Sequence, residues 1–168
     1  DILLGPEMRS TGEVMGRDTN FERAFFKAQL GAGIELPKKG NVFISIRDND
    51  KSQKLIETVK ALTKLGFVII ATKGTAGYLA KNNLQSISIN KVHEGRPNIV
   101  DMMKNKEIDL VMNTTEGTQA IEDSRSMRAV CLSDRIPYYT TLAASAAVAI
   151  AIQKWHEGEI GVKSLQDY

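Results

Sequence analysis

The sequence predicts an α/β domain: a doubly wound, five-stranded, mainly parallel sheet of the Rossmann type, three layers deep. Three observations predict it. From Asn41 onward, short β-rich runs alternate with segments at helical spacing, the pattern of a parallel sheet covered on both faces. Right-handed crossovers between parallel strands leave few topologies for such a chain. With 168 residues, 42% of them hydrophobic and 25% charged, the chain has the size and composition of one globular domain able to bury a core.

The elements run in order along the chain. "DILLGPEMRSTGEVMGRD" has scattered glycine and a proline, and neither a strand nor a helix period. Asp18 or Thr19 can then cap a helix through "NFERAFFKAQLG", closed by Gly31, with Phe21, Phe25, Ala28 and Gln29 along its buried face. "GIELPKKG" is a connector broken by Pro37 and Gly40, which places a boundary between 1–37 and 38–168. "NVFISIR" is the first strand. "DKSQKLIETVKALTKL" is the next helix, with Leu55, Val59 and Leu62 at helical spacing and Gly66 as its stop. "FVIIAT" and "AGYLAKNN" form a second strand and helix, "SISI" and "PNIVDMMKNK" a third pair, and "IDLVMN" and "EGTQAIEDSRSMRAVCLSDR" a fourth. "IPYYT" is the fifth strand, and "TLAASAAVAIAIQKWHEG" the last helix. No internal repeat is visible.

Composition narrows the function classes. A net charge of +2 argues against nucleic acid as a partner, since general nucleic-acid binding usually shows a concentrated basic face. The single cysteine, Cys131, cannot form an internal disulfide, and with only two histidines beside it no metal cage is expected. A reducing, cytoplasmic setting fits. The run "LAASAAVAIAI" is too short for a bilayer and reads as a buried helix, so no membrane association is expected. The chain shows no signal peptide and begins at Asp1 without a methionine, which reads as a piece of something longer.

In an open α/β sheet, ligands bind beyond the carboxyl ends of the strands, where strand order reverses. That edge carries Arg47, Asp48 and Lys51 after the first strand, and Thr72, Lys73, Gly74 and Thr75 after the second. Asn90, Lys91 and His93 come after the third, Asn113, Thr114 and Thr115 after the fourth, Thr140 and Thr141 after the fifth. Hydroxyls, amides and lysines with few carboxylates suit a phosphate monoester, which hydroxyls and helix-start N–H groups bind and lysines neutralise. "ATKGTAG" alone also reads as a plain helix start with Thr72 as N-cap. Lys91 and the Asn113–Thr115 group at the same edge favour a ligand. It is no Walker loop, since the spacing that closes a lysine and Ser/Thr onto a glycine-rich loop is missing. His93 beside Glu94 has no nucleophile to serve and reads as a polar loop residue. Glu122 reads as helix surface, Asp123 as surface or a ribose contact, and Cys131 as an inert buried thiol.

Seven stretches, "GPEMRSTGEVMG", "FFKAQLGAG", "ATKGTA", "NKVHEGRPNI", "NTTEG", "AIEDS" and "YTTLAA", resemble in order the carboxyl-terminal end of the large subunit of bacterial carbamoyl phosphate synthetases, over essentially the whole chain. The resemblance implies that 1–37 is the tail of an ATP-grasp half and 38–168 an allosteric domain sharing its fold with methylglyoxal synthase. It implies a parent ligase, using ATP and Mg or Mn, that makes carbamoyl phosphate for pyrimidine and arginine biosynthesis. A glutamine amidotransferase small subunit and the remainder of the large subunit would be its partners. This part would itself be non-catalytic and without a cofactor, sensing UMP or IMP. Carried over residue by residue, the phosphate falls to Thr72, Thr75 and Lys91, with a further lysine from "RDNDKSQK". That segment holds one extra residue, so Lys51 or Lys54 fills the role. Ser45 matches a polar position at the end of the first strand; Asn113, Thr115 and Asp123 match the ribose and base side.

Two departures bear on function. Near Tyr138 the enteric pattern reads Tyr, Asp, Thr, Thr and takes part in ornithine binding. This chain has "YYTT", with Tyr139 where the acid would be, leaving Tyr138 and Thr140 as a possible remnant. The alternative activity in this fold is methylglyoxal synthase chemistry, a carbon–oxygen lyase reaction on dihydroxyacetone phosphate that needs a carboxylate base. Arg96 stands about where that aspartate belongs, and a guanidinium cannot abstract a proton at neutral pH.

Overall fold

The computed structural model describes residues 13–115, 118–158 and 161–167. Five strands form one all-parallel sheet in the order β3-β2-β1-β4-β5: β1 (Asn41–Ser45), β2 (Val68–Thr72), β3 (Ile87–Ile89), β4 (Leu110–Asn113) and β5 (Tyr138–Tyr139). Order reverses between β1 and β4, which places the switch point at Ser45 and Asn113, paired with each other in register.

The pleat of β1 sends successive side chains to opposite faces. Val42 and Ile44 join Ile69, Ala71, Leu110 and Met112 in one core, against α1 (Phe21–Gly31), α2 (Gln53–Lys64) and α6 (Leu142–Glu157). Phe43 joins Ile70 and Val111 in a second core, against α4 (Ile99–Lys104) and α5 (Thr118–Asp134). The three-layer expectation therefore holds, and the sheet is parallel throughout.

Several expected details differ in the structure. The cap of α1 is Asn20, whose side chain accepts from Arg23 N–H at 3.0 Å; Asp18 is taken up by Thr19 and by Lys27 Nζ at 2.7 Å. The buried aromatic of α1 is Phe26, whose ring lies 4.9 Å from that of Trp155 in α6, whereas Phe21 is 65% exposed. Phe21 sits in the first turn, its ring 5.8 Å from that of Phe25 and tilted against it, and it is not among the residues packed on the core. Through Phe26 and Leu36 the stretch before residue 38 packs into the same core as β1, α2 and α6. The helix after β2, α3 (Lys73–Lys81), starts three residues before the expected Ala76, so the whole of "KGT" forms its first turn.

Two glycines do as expected. Gly66 ends α2 at φ +87°, a conformation L side chains rarely adopt. Gly40, at φ +131°, enters β1 where a Cβ would stand 2.0 Å from Asp109 Oδ2, the carboxylate that accepts from Asn41 N–H. Among the described residues no helix is long and apolar enough to cross a membrane.

Candidate functional site

Beyond Ser45, β1 runs into a loop held by its neighbours. Ile46 N–H donates to Thr75 Oγ1 at 3.0 Å, and Arg47 N–H to Thr114 Oγ1 at 2.9 Å. Thr114 N–H in turn donates to Ser45 C=O at 2.9 Å. The hydroxyls of Thr72 and Thr75 lie 3.3 Å apart, and Thr72 Oγ1 is 3.4 Å from Ser45 Oγ. Both threonines are buried, 3% and 1% exposed. Part of the threonine pair's purpose is therefore internal: Thr75 pins the end of β1 to α3.

That arrangement leaves the start of α3 available. Thr72 occupies the N-cap position with extended backbone, yet its side chain makes no capping bond. Ser52 likewise leaves α2 without a side-chain cap, whereas α1, α4 and α6 are capped by the side chains of Asn20, Asn98 and Thr141. The first-turn N–H groups of a helix need partners, and with the helix dipole they favour an anion.

A cavity of about 560 Å³ opens at this edge. Of the predicted residues it is lined by Ser45, Lys51, Thr72 and Thr75, together with Lys91, Asn113 and Thr115. Of the two candidate lysines, only Lys51 lines the cavity. Its Nζ donates to Asp48 Oδ1 at 2.5 Å and to Gly74 C=O at 3.0 Å, while Lys54 lies exposed on α2 outside the lining. Lys91 precedes the turn Val92–Glu94, its own N–H donating to Glu94 Oε2 at 3.0 Å. Asn113 Nδ2 donates to Tyr138 Oη at 2.7 Å, so Tyr138 reaches the site only through Asn113. Thr140 is exposed and stands outside the lining; the side chain of Asp123, on α5, lies outside the described residues, as does Glu116.

Sequence reasoning misses the apolar wall of this cavity, formed by Phe43, Ile99 and Met127. Each occupies an ordinary core position of β1, α4 or α5, and no local pattern separates a core side chain that also faces a cavity. His93, read as a loop residue, also lines the mouth.

Among the described lining residues Asp48 is the one carboxylate. Its hydrogen bond from Lys51 holds its pKa below the ordinary carboxylate value, and the charges of Lys51 and Lys91 act the same way. Arg96 is outside the lining; its guanidinium chelates Asp101, which caps α4 by accepting from Asn98 N–H at 3.0 Å. The pocket thus pairs lysines and the first turn of α3, which has no side-chain cap, with an apolar wall: it can hold an anionic head attached to a less polar body. Asp48, the one carboxylate among its described lining residues, is held ionised beside a lysine and is a weak base.

Tyr139 faces the other way. It is buried, its hydroxyl donates to Gln29 Oε1 of α1 at 2.9 Å, and burial raises its pKa far above the ordinary tyrosine value. Burial likewise pushes the Cys131 thiol up to about 12, in keeping with an inert thiol.

A family model described as "MGS-like domain" matches residues 54–140. Over its full length the chain is 52% identical to the carbamoyl phosphate synthase large chain of Mesorhizobium japonicum, of which it covers 14%. It is 43% identical to the large chain of Methanosarcina acetivorans, covering 16% of it. Over 99% of its residues it is 48% identical to the "Carbamoyl phosphate synthase large chain, C-terminal section" of Aquifex aeolicus, covering 32% of that protein. The chain thus spans a minor part of the length of these relatives.

Proposed function

This chain belongs to the MGS-like domain family, and from that premise we propose that it is the effector-binding region of a carbamoyl phosphate synthase large chain. It holds the phosphate of UMP or IMP at the start of α3, against Lys51 and Lys91, with the ribose and base toward Asn113, Thr115 and the apolar wall. The observation that carries this reading is the uncapped N-terminus of α3 facing two lysines at the switch point of the sheet.

The region itself catalyses nothing. Its effect on the parent is linkage: a nucleotide that binds one global state better than another shifts the equilibrium by its differential affinity, typically about 1–3 kcal/mol. The parent is an ATP- and Mg- or Mn-dependent cytoplasmic ligase working with a glutamine amidotransferase subunit. Among the described residues ornithine finds no acidic anchor at this position, because Tyr139 stands where the resemblance places the carboxylate and is turned toward α1. Among the described residues the lyase alternative finds no unpaired carboxylate in the pocket, since Asp48 is paired with Lys51, and Arg96 is held by Asp101.

The test is calorimetric titration of the chain with UMP, IMP and ornithine, beside an assay for methylglyoxal formation from dihydroxyacetone phosphate. Saturable nucleotide binding without ornithine binding or turnover is expected. Turnover with no nucleotide binding would replace this reading by the lyase.

A further inference from the structure

Asp48 is out of place in a pocket that receives an anion. The loop carrying it is fixed by Arg47 N–H on Thr114 Oγ1 at 2.9 Å, by the Arg47–Asp50 ion pair at 2.7 Å and by Lys51 N–H on Asp48 C=O at 3.1 Å. From this anchored turn the Asp48 carboxylate reaches Lys51 Nζ at 2.5 Å. Its side chain is 92% exposed and that of Lys51 15%, so the acid stands at the mouth and the ammonium inside. The same ammonium touches Gly74 C=O in the first turn of α3, and a Cβ on Gly74 would lie 3.6 Å from it. Lys51 therefore sits against the helix start where an anion would be bound, and its hydrogens are already shared between Asp48 and α3. Asp48 also feels the charge of Lys91, the other lysine lining the pocket.

An arriving phosphate needs the same Lys51 hydrogens and the same field. We propose that Asp48 is a built-in competitor for the ligand's phosphate: it neutralises Lys51 in the empty pocket and must yield it when the ligand binds. The proposal rests on the effector reading and adds to it the residue that sets affinity. Because the acid is solvent-exposed, it can swing into water on displacement, and its penalty is that of an exposed ion pair plus residual like-charge repulsion. The acid keeps the lysine paired while the pocket is empty and holds affinity below what the two lysines would otherwise give.

The experiment is calorimetric titration of the 168-residue chain, as wild type and as Asp48→Asn, with UMP, IMP and inorganic phosphate. Asp48→Asn is expected to bind the nucleotides and phosphate more tightly by a common factor of about two to five, the worth of an exposed ion pair. Asp48→Ala should give the same gain. In a Lys51→Ala background the gain should shrink, because the contested cation is gone, and the double-mutant cycle reads that coupling directly. Uridine and inosine, which lack the phosphate, should be indifferent to the Asp48 variants. Wild-type binding that Asp48→Asn leaves unchanged or weakens overturns the proposal while the effector reading stands. No binding by wild type or variant overturns the effector reading and this proposal together, and the wild-type titration alone tells the two failures apart.

Discussion

Thr75 shows how one side chain can serve structure and site together. Its hydroxyl accepts from Ile46 N–H in a fully buried place. Removing it leaves that amide unsatisfied, at a cost of about 1–3 kcal/mol. Thr75→Ala should therefore lower the urea midpoint as well as weaken nucleotide binding, while Thr75→Ser should retain most of both. Lys91 is exposed and makes no ion pair among the described residues, so Lys91→Ala separates the effects. It should weaken UMP or IMP by roughly 1.5–3 kcal/mol, the range for hydrogen bonds to charged groups, with unfolding unchanged. Equal loss of stability in Lys91→Ala would show that the lysine holds the loop and not the ligand. Tyr139 belongs to the structural side alone. Tyr139→Phe should cost about 0.5–1.5 kcal/mol of stability through the lost Gln29 bond and leave nucleotide affinity untouched.

At the scale of elements, α1 and the segment before it are stapled to the sheet-covering helices. Phe26 fills the gap against Trp155, and Phe26→Ala should cost about 3–5 kcal/mol, read as a lowered midpoint of denaturation. Asp18 fastens 13–18 to α1 through Lys27, and that bond, with a second from Thr19 N–H, lowers its pKa from 3.8 to about 2. A depressed carboxylate pKa contributes stability above the unfolded value that is lost as pH falls through the folded one. Stability should thus drop between about pH 4 and pH 2, and Asp18→Asn should flatten that part of the profile. Element types from Asn41 onward were legible because each strand run is short and bounded and each helix carries its own spacing and stop. The boundaries that slipped were those set by tertiary contacts. The early start of α3 depends on Thr72 adopting extended backbone at the sheet edge, and the buried face of α1 depends on where α6 lies. The polar half of the pocket was legible for a related reason: the carboxyl-edge rule picks residues by strand end alone. It cannot choose between Lys51 and Lys54, which differ only in the path of a turn, nor find Phe43, Ile99 and Met127.

For the whole molecule, the all-parallel sheet gathers the ends of β1, β2 and β4 beside the start of α3, so one bound anion touches several elements together. Such a ligand can bias the domain as a unit, and any effect on a larger chain must pass through surfaces this domain shares with it. Away from the pocket α1, within 13–37, packs on α6 through Phe26 and Trp155, and Lys38 Nζ lies over the Trp155 ring at 4.4 Å. Whether the start of α3 holds the nucleotide's phosphate is decided by backbone amide NMR during titration with UMP or IMP. Saturable shifts are expected, largest at Lys73, Gly74 and Thr75 and around Lys91 and Asn113, reproduced in part by inorganic phosphate at Gly74 and Thr75. Saturable shifts clustered elsewhere, for instance in the groove of Phe67, Leu84 and Ile87 beside β3, with α3's first turn unmoved, would contradict a phosphate site there.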